Sequence, residues 1–426
     1  MRPASSISSF KRVISVLVLF ALVLTGVLFW SRALAIADGP EKNGAFLRDD
    51  RQYDVLFFGS SHVVNGIYPM ELWRNYGITA YNLGGHGASI AASYWEMRLA
   101  VEQHKPKVAV LDVLFAGSDY TWMEIGLAHE LFDPYPLSRL KIQAVTDIFE
   151  EKGDRMELLF PLDVYHNRWK DLDTEMVRRG LEGFADLSPE KGAQTRIEVY
   201  PLDRANLLPA SECMEGSSVA LGYVEKFVTY CLENGITPVL TYLPCQIPEE
   251  WQRACNAALR LGQQLGAEIL DMQYLDILDD SIDWYDDGSH LNPSGALKTT
   301  ACMGSFLQDR LGLGDHRQES ACSAWHDDYA AYAARQTETM KNLSTAPQIL
   351  SLSALELFTV EASVSEDFFD PTVLRQLESQ GVAPAVRQDG PALELTVRNS
   401  AGTVLIQKSF AEETVLRALD EPSVSP

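Results

Sequence analysis

Short apolar segments alternate with amphipathic segments through much of the chain. The apolar segments, rich in Val, Leu and Phe, predict strands at 53–58, 79–82, 108–115, 236–243 and 267–271. The intervening 3.6-residue periodicity predicts helices at 69–76, 89–104, 219–233, 248–265 and 293–313. Such alternation, with strands that are apolar throughout, indicates a parallel sheet covered by helices on both faces. We therefore predict a doubly wound, three-layer α/β fold with about five strands.

The N-terminus contains an uncharged apolar stretch at 13–30. Its length at helical rise is about 27 Å, close to the hydrocarbon thickness of a bilayer. Because Arg2, Lys11 and Arg12 precede it, the positive-inside rule predicts a cytoplasmic N-terminus and an extracytoplasmic remainder. Residues 1–35 are therefore predicted to be a single-pass anchor in the cell membrane. The alternative is a cleaved signal peptide, since Ala33-Leu34-Ala35 offers an A-x-A site.

The pattern also predicts how the rest of the chain is organised. A polar linker at 36–50 leads into a main domain at 51–314, where the alternation lapses at about 117–212, as in an insertion above a site. A small α/β module is predicted at 315–415, followed by an acidic tail at 416–426. Within this module we expect a helix, a strand, a second helix and a hairpin, at 320–343, 357–364, 371–381 and 392–409.

Composition narrows the function classes. The chain has 426 residues, 46% of them hydrophobic, and a formal net charge of −24. This charge argues against a nucleic-acid partner, which would need clustered basic residues. The six cysteines show no C-x-x-C spacing and no paired histidines, so neither a zinc site nor any other metal or cofactor is expected. Their disulfide pairing, if they pair, is left open by the sequence.

Two short motifs carry the candidate chemistry. The first strand runs directly into Gly59-Ser60-Ser61-His62, and Asp286-Asp287-Gly288-Ser289-His290 follows the last predicted strand of the sheet. A serine nucleophile needs an adjacent base, and that base needs an orienting acid. Both motifs are expected at the carboxyl edge of the sheet, where sites of this fold class lie. The three-residue spacing favours Asp287 over Asp286 as the acid. The non-catalytic alternatives are that Ser61 is a turn or N-cap residue and that His290 is a surface residue.

The motifs resemble the conserved blocks of a known family. Gly59-Ser60-Ser61-His62, the stretch 81–87 and the stretch 287–292 resemble the first, second and fifth blocks of the SGNH/GDSL hydrolase superfamily, over about residues 50–314. The resemblance implies an SGNH/flavodoxin-like fold, with Ser61 as nucleophile, His290 as general base and acid, and Asp287 holding the imidazole. It also implies that the backbone amides of Ser61 and Gly87 stabilise the oxyanion.

The chain most resembles the membrane-anchored branch of that superfamily, which includes accessory proteins of teichoic-acid D-alanylation and cell-surface polysaccharide O-acetylation in Gram-positive bacteria. The stretches 165–169 and 290–296 look typical of that branch. The resemblance implies an exported serine esterase or O-acyltransferase that acts on acetyl or D-alanyl esters of cell-surface glycans or teichoic acid. A membrane-bound O-acyltransferase would then be a partner that delivers the acyl group.

One departure from the family pattern concerns the second oxyanion donor. The third block should supply an asparagine after the third strand, but the chain has Asp112-Val113-Leu114-Phe115-Ala116-Gly117. Loss of one such donor typically costs about 10²–10³ in rate. This departure favours the alternative function, a non-catalytic membrane-anchored module that binds polysaccharide or a partner. Candidate substitutes or substrate-binding residues are His62, Asn65, His86, His166, Arg168 and Trp169. Cys245 is an alternative nucleophile without histidine context.

Overall fold

The computed structural model describes residues 6–35, 40–182, 188–204, 207–286 and 288–411. The strands are β1 (Val55–Phe58), β2 (Ala80–Asn82), β3 (Val108–Asp112), β4 (Thr237–Tyr242), β5 (Glu268–Asp271), β6 (Phe358–Ser365), β7 (Ala385–Arg387), β8 (Leu393–Asn399) and β9 (Val404–Phe410). The predicted tail at 416–426 lies outside the described residues.

The helices of the N-terminal half are α1 (Ser6–Leu34), α2 (Pro40–Arg48), α3 (Ser61–Gly66), α4 (Pro69–Tyr76), α5 (Ile90–Val101), α6 (Ile125–Phe132), α7 (Arg139–Ile148), α8 (Lys152–Leu159), α9 (Leu162–Tyr165) and α10 (Thr174–Glu182). Those of the C-terminal half are α11 (Val219–Glu233), α12 (Glu249–Leu265), α13 (Pro293–Ser305), α14 (Ala324–Asn342), α15 (Ala346–Ser353) and α16 (Pro371–Ser379). Two 3₁₀ helices, His166–Asp171 and Ser320–Cys322, and a π-helical turn, Phe306–Arg310, complete the described elements.

The chain divides into two compact units. The N-terminal unit comprises Met1–Asp50 and Glu124–Leu187, and the sheet unit comprises Arg51–Met123 and Ser188–Pro426. The predicted insertion at 117–212 is thus shared between the units. The predicted module at 315–415 belongs to the same unit as the main sheet.

The main sheet has five parallel strands in the order β2-β1-β3-β4-β5. Val55 of β1 is in register with Ala80 of β2 on one side and Val108 of β3 on the other. The predicted parallel α/β sheet is confirmed; four of the ten predicted strand ends coincide with the observed ones, and the others lie one to three residues outside them. From β1 the chain adds β2 on one side of the sheet and then β3, β4 and β5 on the other, so a topological switch point lies between β1 and β3. In open α/β sheets ligands bind in the crevice at such a switch point.

Helices cover both faces of this sheet because its strands are apolar on both sides. On one face, Val55 and Val110 join a buried cluster with residues of α3, α4 and α13. On the other face, Phe58 meets Phe227 of α11 with ring centroids 6.1 Å apart. Helix α12 approaches β4 closely, since a Cβ on Gly262 would lie 2.1 Å from the Leu240 side chain.

The C-terminal part of the sheet unit forms a second sheet in the order β7-β6-β8-β9. Strands β6, β8 and β9 are antiparallel neighbours, and β7 pairs parallel with β6. The predicted helices, strand and hairpin of this region are present, whereas α15 and β7 were not predicted. Trp325 of α14 is buried against the rings of Tyr53 and Trp73, and these contacts join the second sheet's helices to the main sheet.

In the N-terminal unit, residues Phe10–Leu34 of α1 are long and apolar enough to cross a membrane, with a mean hydropathy of 2.7. Helix α10 packs closely on α1, since a Cβ on Gly180 would lie 2.6 Å from the Phe29 ring. Helix α2 occupies Pro40–Arg48, most of the predicted linker, whose residues 36–39 lie outside the described part of the chain.

Candidate functional site

The serine motif forms a tight turn between β1 and α3. Gly59 adopts φ 145°, and a Cβ there would lie 2.7 Å from the Val63 side chain, so only glycine fits this position. Ser60 is the N-cap of α3, and its side chain accepts a hydrogen bond from the amide of His62. Ser61 is the first residue of the helix, and it is partly exposed at the carboxyl end of β1.

A serine, a histidine and a carboxylate form one hydrogen-bonded row at this turn. The Nε2 atom of His290 lies 2.8 Å from the Oγ atom of Ser61. The Nδ1 atom of the same ring is hydrogen-bonded to Oδ2 of Asp286. Two residues separated by 229 positions in the sequence are thereby in direct contact. This is the arrangement that activates a serine hydroxyl by general-base catalysis.

The acid in this row is Asp286, four residues before the histidine. Its Oδ1 atom accepts hydrogen bonds from the backbone amides of Ser289 and His290, both at 2.8 Å. Asp287, which the spacing favoured for this role, lies outside the described residues. These two hydrogen bonds hold the backbone of Ser289 and His290 against Oδ1 of Asp286, while Oδ2 contacts the His290 ring.

The electrostatics of the row suit an ionised aspartate. Partial burial would raise the pKa of Asp286, but the hydrogen bonds from His290 and Ser289 and the charge of His290 outweigh it, and the pKa is lowered. A carboxylate that stays ionised holds the imidazole in one tautomer and stabilises the imidazolium that forms when the ring takes a proton.

A β-bridge and several hydrogen bonds hold the loop that carries His290 in place. Trp284 and Leu291 form a β-bridge, and Tyr285 donates a backbone hydrogen bond to the His290 carbonyl at 3.0 Å. Asn292 caps α13 and its Nδ2 atom donates to the carbonyls of Ile282 and Trp284. These bonds hold the backbone on both sides of His290 in place.

The second predicted block, the glycine loop after β2, lies against the serine turn. The amide of Gly85 donates to the Gly59 carbonyl at 2.9 Å, and a Cβ on Gly84 would lie 3.1 Å from the Ser60 carbonyl oxygen. Gly87 adopts φ 61°. In the part of the chain that the structure describes, neither the amide of Ser61 nor that of Gly87 donates to an acceptor. An oxyanion hole requires donors of this kind, whose N–H groups are available to the negatively charged oxygen of the intermediate.

Asn82 of the same block has a structural role. Its Nδ2 atom donates to the carbonyls of Val63 and Ile67 at the end of α3, at 2.7 and 2.9 Å, and its Oδ1 atom accepts from the Gly84 amide. The side chain therefore ties the glycine loop to the helix that carries Ser61.

Asp112 ends β3, where the family pattern would lead into its third block. Its Oδ1 atom accepts a hydrogen bond from the Leu243 amide at 3.1 Å, and among the described residues Oδ2 has no partner. Burial raises the pKa of this carboxyl to about 7. The side chain fills the space beneath Gly59, with its Cβ 3.0 Å from where a Gly59 Cβ would lie.

Three of the other predicted residues surround the serine helix. The His62 ring lies edge-on to His290, with centroids 5.6 Å apart. Burial, followed by the charge of His290, lowers the pKa of His62 to about 3, so this ring is neutral. His86 contacts the Gln194 side chain at 2.8 Å, and Asn65 donates to the Gln194 carbonyl at 3.0 Å.

The remaining three predicted residues belong to the N-terminal unit. The Nδ1 atom of His166 contacts the Asp163 carbonyl, and the Arg168 guanidinium donates to the carbonyls of Leu34 and Ala35 at the end of α1. Trp169 is 59% exposed. Arg168 thus satisfies orphan carbonyls at the C-terminus of a helix, which the sequence pattern did not indicate.

Two residues that the sequence did not single out lie beside the row. The Gln194 amide donates to the Val64 carbonyl of α3 at 3.0 Å. Two residues further on, the Arg196 guanidinium lies over the Tyr285 ring, 5.4 Å from its centroid. Tyr285 immediately precedes Asp286, so this contact places Arg196 next to the row. No local sequence pattern indicated Gln194 or Arg196.

An exposed aromatic pair was also missed. Tyr120 and Trp122 are 37% and 56% exposed, with ring centroids 4.9 Å apart. The residue between them, Thr121, accepts a hydrogen bond at 2.6 Å from Ser89, the N-cap of α5, which begins just after the glycine loop. The pair therefore lies at the carboxyl edge of the sheet, on which the serine turn also opens.

Cys245, the alternative nucleophile, is fully buried. Burial is the largest cause that raises the pKa of its thiol, followed by the charge of Asp112. A buried, protonated thiol is a structural residue rather than a nucleophile.

No protein-family model matches this chain, and no curated protein is significantly similar to it in sequence. The geometry of the Ser61, His290 and Asp286 side chains is therefore the main basis for assigning a function.

Proposed function

We propose that this protein is a membrane-anchored serine esterase or O-acyltransferase. The observation that carries the proposal is the continuous hydrogen-bonded row from Ser61 Oγ through the His290 ring to the Asp286 carboxylate. A plain turn serine does not need a histidine at 2.8 Å that is itself held by a carboxylate. The motif resemblance to SGNH/GDSL hydrolases and the strand order β2-β1-β3-β4-β5 support the same reading.

The reaction proceeds in two steps. Ser61 Oγ attacks the carbonyl carbon of an ester while His290 Nε2 takes the hydroxyl proton, and Asp286 stabilises the resulting imidazolium. The amides of Ser61 and Gly87 donate to the oxyanion of the tetrahedral intermediate. As the intermediate collapses, His290 returns the proton to the departing alcohol oxygen and an acyl-Ser61 ester remains. His290 then removes a proton from water or from an acceptor hydroxyl, whose oxygen attacks that ester. As the second intermediate collapses, His290 returns this proton to Ser61 Oγ, and the acid or the new ester leaves.

The substrate class follows from the resemblance and from the surface of the site. The resemblance implies acetyl or D-alanyl esters on a cell-surface polysaccharide or teichoic acid. The exposed Tyr120–Trp122 pair offers flat apolar surface of the kind that packs on sugar rings. Arg196, a cation beside Tyr285, suits the anionic groups of such polymers. An extracytoplasmic site, with a membrane O-acyltransferase as partner, belongs to the same proposal.

The alternative is a non-catalytic module that binds polysaccharide or a partner. It is favoured by one observation: β3 ends in Asp112, whose Oδ1 atom is committed to the Leu243 amide, and no third-block asparagine follows. Binding alone, however, gives no reason to hold a serine, a histidine and an aspartate in a hydrogen-bonded row.

One experiment separates the two functions. The full-length protein in detergent is treated with a fluorophosphonate probe, and hydrolysis of p-nitrophenyl acetate is measured in parallel. We expect labelling and hydrolysis in the wild type and in Ser60→Ala, whose hydroxyl caps α3. Both should disappear in Ser61→Ala. A wild type that neither labels nor hydrolyses the ester at any pH would support the binding module instead.

A further inference from the structure

Three potential metal ligands come together in the segment that precedes α14. His316, Glu319 and Cys322 each offer a donor atom, and these atoms all lie within 4.8 Å of one another. We call this set the 316–322 cluster. Its chemistry is mixed, with one imidazole nitrogen, one carboxylate oxygen and one sulfur. The backbone brings the three together because the amide of Glu319 donates to the His316 carbonyl and that of Cys322 to the Glu319 carbonyl, each at 3.0 Å.

A fourth residue orients the histidine of this cluster. The Nε2 atom of His316 lies 2.7 Å from Oδ2 of Asp54, just before β1, and the Nδ1 atom lies 2.8 Å from Oε1 of Glu319. The other oxygen of Asp54 pairs with Lys107 at 2.9 Å. Metal-bound histidines almost always donate their second ring N–H to a carboxylate, which fixes the tautomer and the direction of the ring. Asp54 is already placed to do this, and it leaves Nδ1 facing Glu319 and Cys322.

We propose that the 316–322 cluster binds a zinc-type divalent cation through His316 Nδ1, the Glu319 carboxylate and Cys322 Sγ, with Asp54 as the positioning carboxylate. Zinc bonds to nitrogen, oxygen and sulfur are about 2.0–2.3 Å long, so tetrahedral ligand atoms lie roughly 3–4 Å apart. The spacing of the cluster matches this with small side-chain movements. A thiolate ligand disfavours Mg²⁺ and Ca²⁺, which prefer oxygen donors. With three protein ligands, water would complete the coordination.

Two carboxylates, those of Asp54 and Glu319, lie within hydrogen-bonding distance of the His316 ring, and this concentration of negative charge suits a cation. Without a cation, the His316 ring bridges the two carboxylates. Binding would displace one proton from Sγ and the proton shared between Nδ1 and Glu319, and these leave to solvent. Arg51 and Lys107 are nearby cations that counter part of the negative charge.

A bound ion would have a structural consequence. The amide of His316 donates to the Gly77 carbonyl at 3.0 Å, and Trp325, three residues after Cys322, packs on Tyr53 beside Asp54. The ion would therefore hold the segment that leads into α14 close to the start of β1. This proposal departs from the sequence-based expectation of no zinc site, which depended on the absence of C-x-x-C. The spacing here is His-x-x-Glu-x-x-Cys.

The test uses the full-length protein in detergent, freed of metal by a chelator and titrated with Co²⁺ and with Zn²⁺. We expect one ion per chain and a thiolate-to-cobalt charge-transfer absorption that Zn²⁺ abolishes. Cys322→Ser should lose this absorption, whereas Cys302→Ser, a partly exposed cysteine outside the cluster, should keep it. Glu319→Gln, which removes the carboxylate that contacts the His316 ring, should weaken Zn²⁺ binding at least tenfold.

Asp54→Asn tests the positioning role and should weaken Zn²⁺ binding about 10–100-fold while the cobalt absorption remains. Thermal unfolding of each variant without metal shows whether it is folded. The proposal is overturned if the folded wild type binds no Zn²⁺. It is also overturned if wild type, Cys322→Ser and Glu319→Gln bind Zn²⁺ equally, because the ion would then be adventitious or bound elsewhere.

Discussion

The His62 ring lies edge-on to the His290 ring, with centroids 5.6 Å apart, directly beside the Ser61 turn. His62 is buried and, through that burial and the charge of His290, neutral. An edge-to-face aromatic contact contributes about 0.5–1.5 kcal/mol beyond area burial. His62 is therefore placed to limit the orientations of the His290 ring without exchanging a proton with it.

The first prediction concerns this contact. His62→Ala should lower kcat/KM for p-nitrophenyl acetate about 2- to 10-fold, because the His290 ring gains freedom. His62→Phe, which keeps an edge-on ring and cannot titrate, should stay near the wild-type value. Steady-state kinetics of the three proteins checks this. If His62→Phe were as impaired as His62→Ala, a polar role of the imidazole would have to replace the packing role.

The second prediction identifies the acid. Asp286→Asn keeps an oxygen for the amides of Ser289 and His290 but places an amide group against His290 Nδ1. The ring would then adopt the wrong tautomer, and kcat should fall about 10³–10⁴-fold. Asp287→Asn is the matched control and should change kcat little. The reverse order of effects would return the role to Asp287, as the Asp-x-x-His spacing favoured.

The third prediction concerns pH and Asp112. The folded pKa of this carboxyl is about 7, above the value of about 4 in an unfolded chain. Between these pH values the folded protein binds more protons at this site, so its contribution to stability falls as pH rises from about 4 to about 7. Asp112→Asn keeps the acceptor for Leu243 and removes the titration.

Unfolding free energies of wild type and Asp112→Asn, measured from pH 4 to pH 8, test this. The difference between them should grow with pH, in favour of the variant, toward a value on the order of 4 kcal/mol. A difference that stays constant across the range would mean that the carboxyl does not titrate there.

The fourth prediction tests the aromatic pair. Trp122→Ala should raise KM for an O-acetylated polysaccharide about fivefold, a loss of about 1 kcal/mol, with kcat nearly unchanged. Hydrolysis of p-nitrophenyl acetate should be unaffected because this ester has no sugar ring. Phe369→Ala is the control, since Phe369 is also an exposed aromatic residue of the sheet unit but lies between β6 and α16. Equal effects of the two variants on KM would remove the pair from substrate binding.

Local patterns predicted the sheet and the serine–histidine contact because both depend on short-range signals. Each apolar strand and each capped helix can be predicted from its own residues. In a parallel sheet the carboxyl ends of all strands then lie at the same edge. Ser61 and His290 each end or follow a strand of this kind, so their meeting could be predicted from the topology.

The choice between Asp286 and Asp287 depended on backbone geometry that spacing does not encode. Gly288 adopts φ 101°, and the amides of Ser289 and His290 both turn toward Asp286. Arg196, Gln194 and the Tyr120–Trp122 pair were missed for another reason: their positions depend on contacts with residues far away in the sequence. The same holds for the N-terminal unit, where residues 124–182 pack with α1 although nothing in the sequence links the two stretches.

The hydrogen bonds between Arg168 and the end of α1 bear on whether residues 1–35 could be removed by cleavage. Ala33, Leu34 and Ala35 are buried, and the Arg168 guanidinium holds the carbonyls of the last two. A leader peptidase must thread an extended, accessible chain through its active site. Once the N-terminal unit has folded, residues 33–35 are buried, so any cleavage there would have to precede folding.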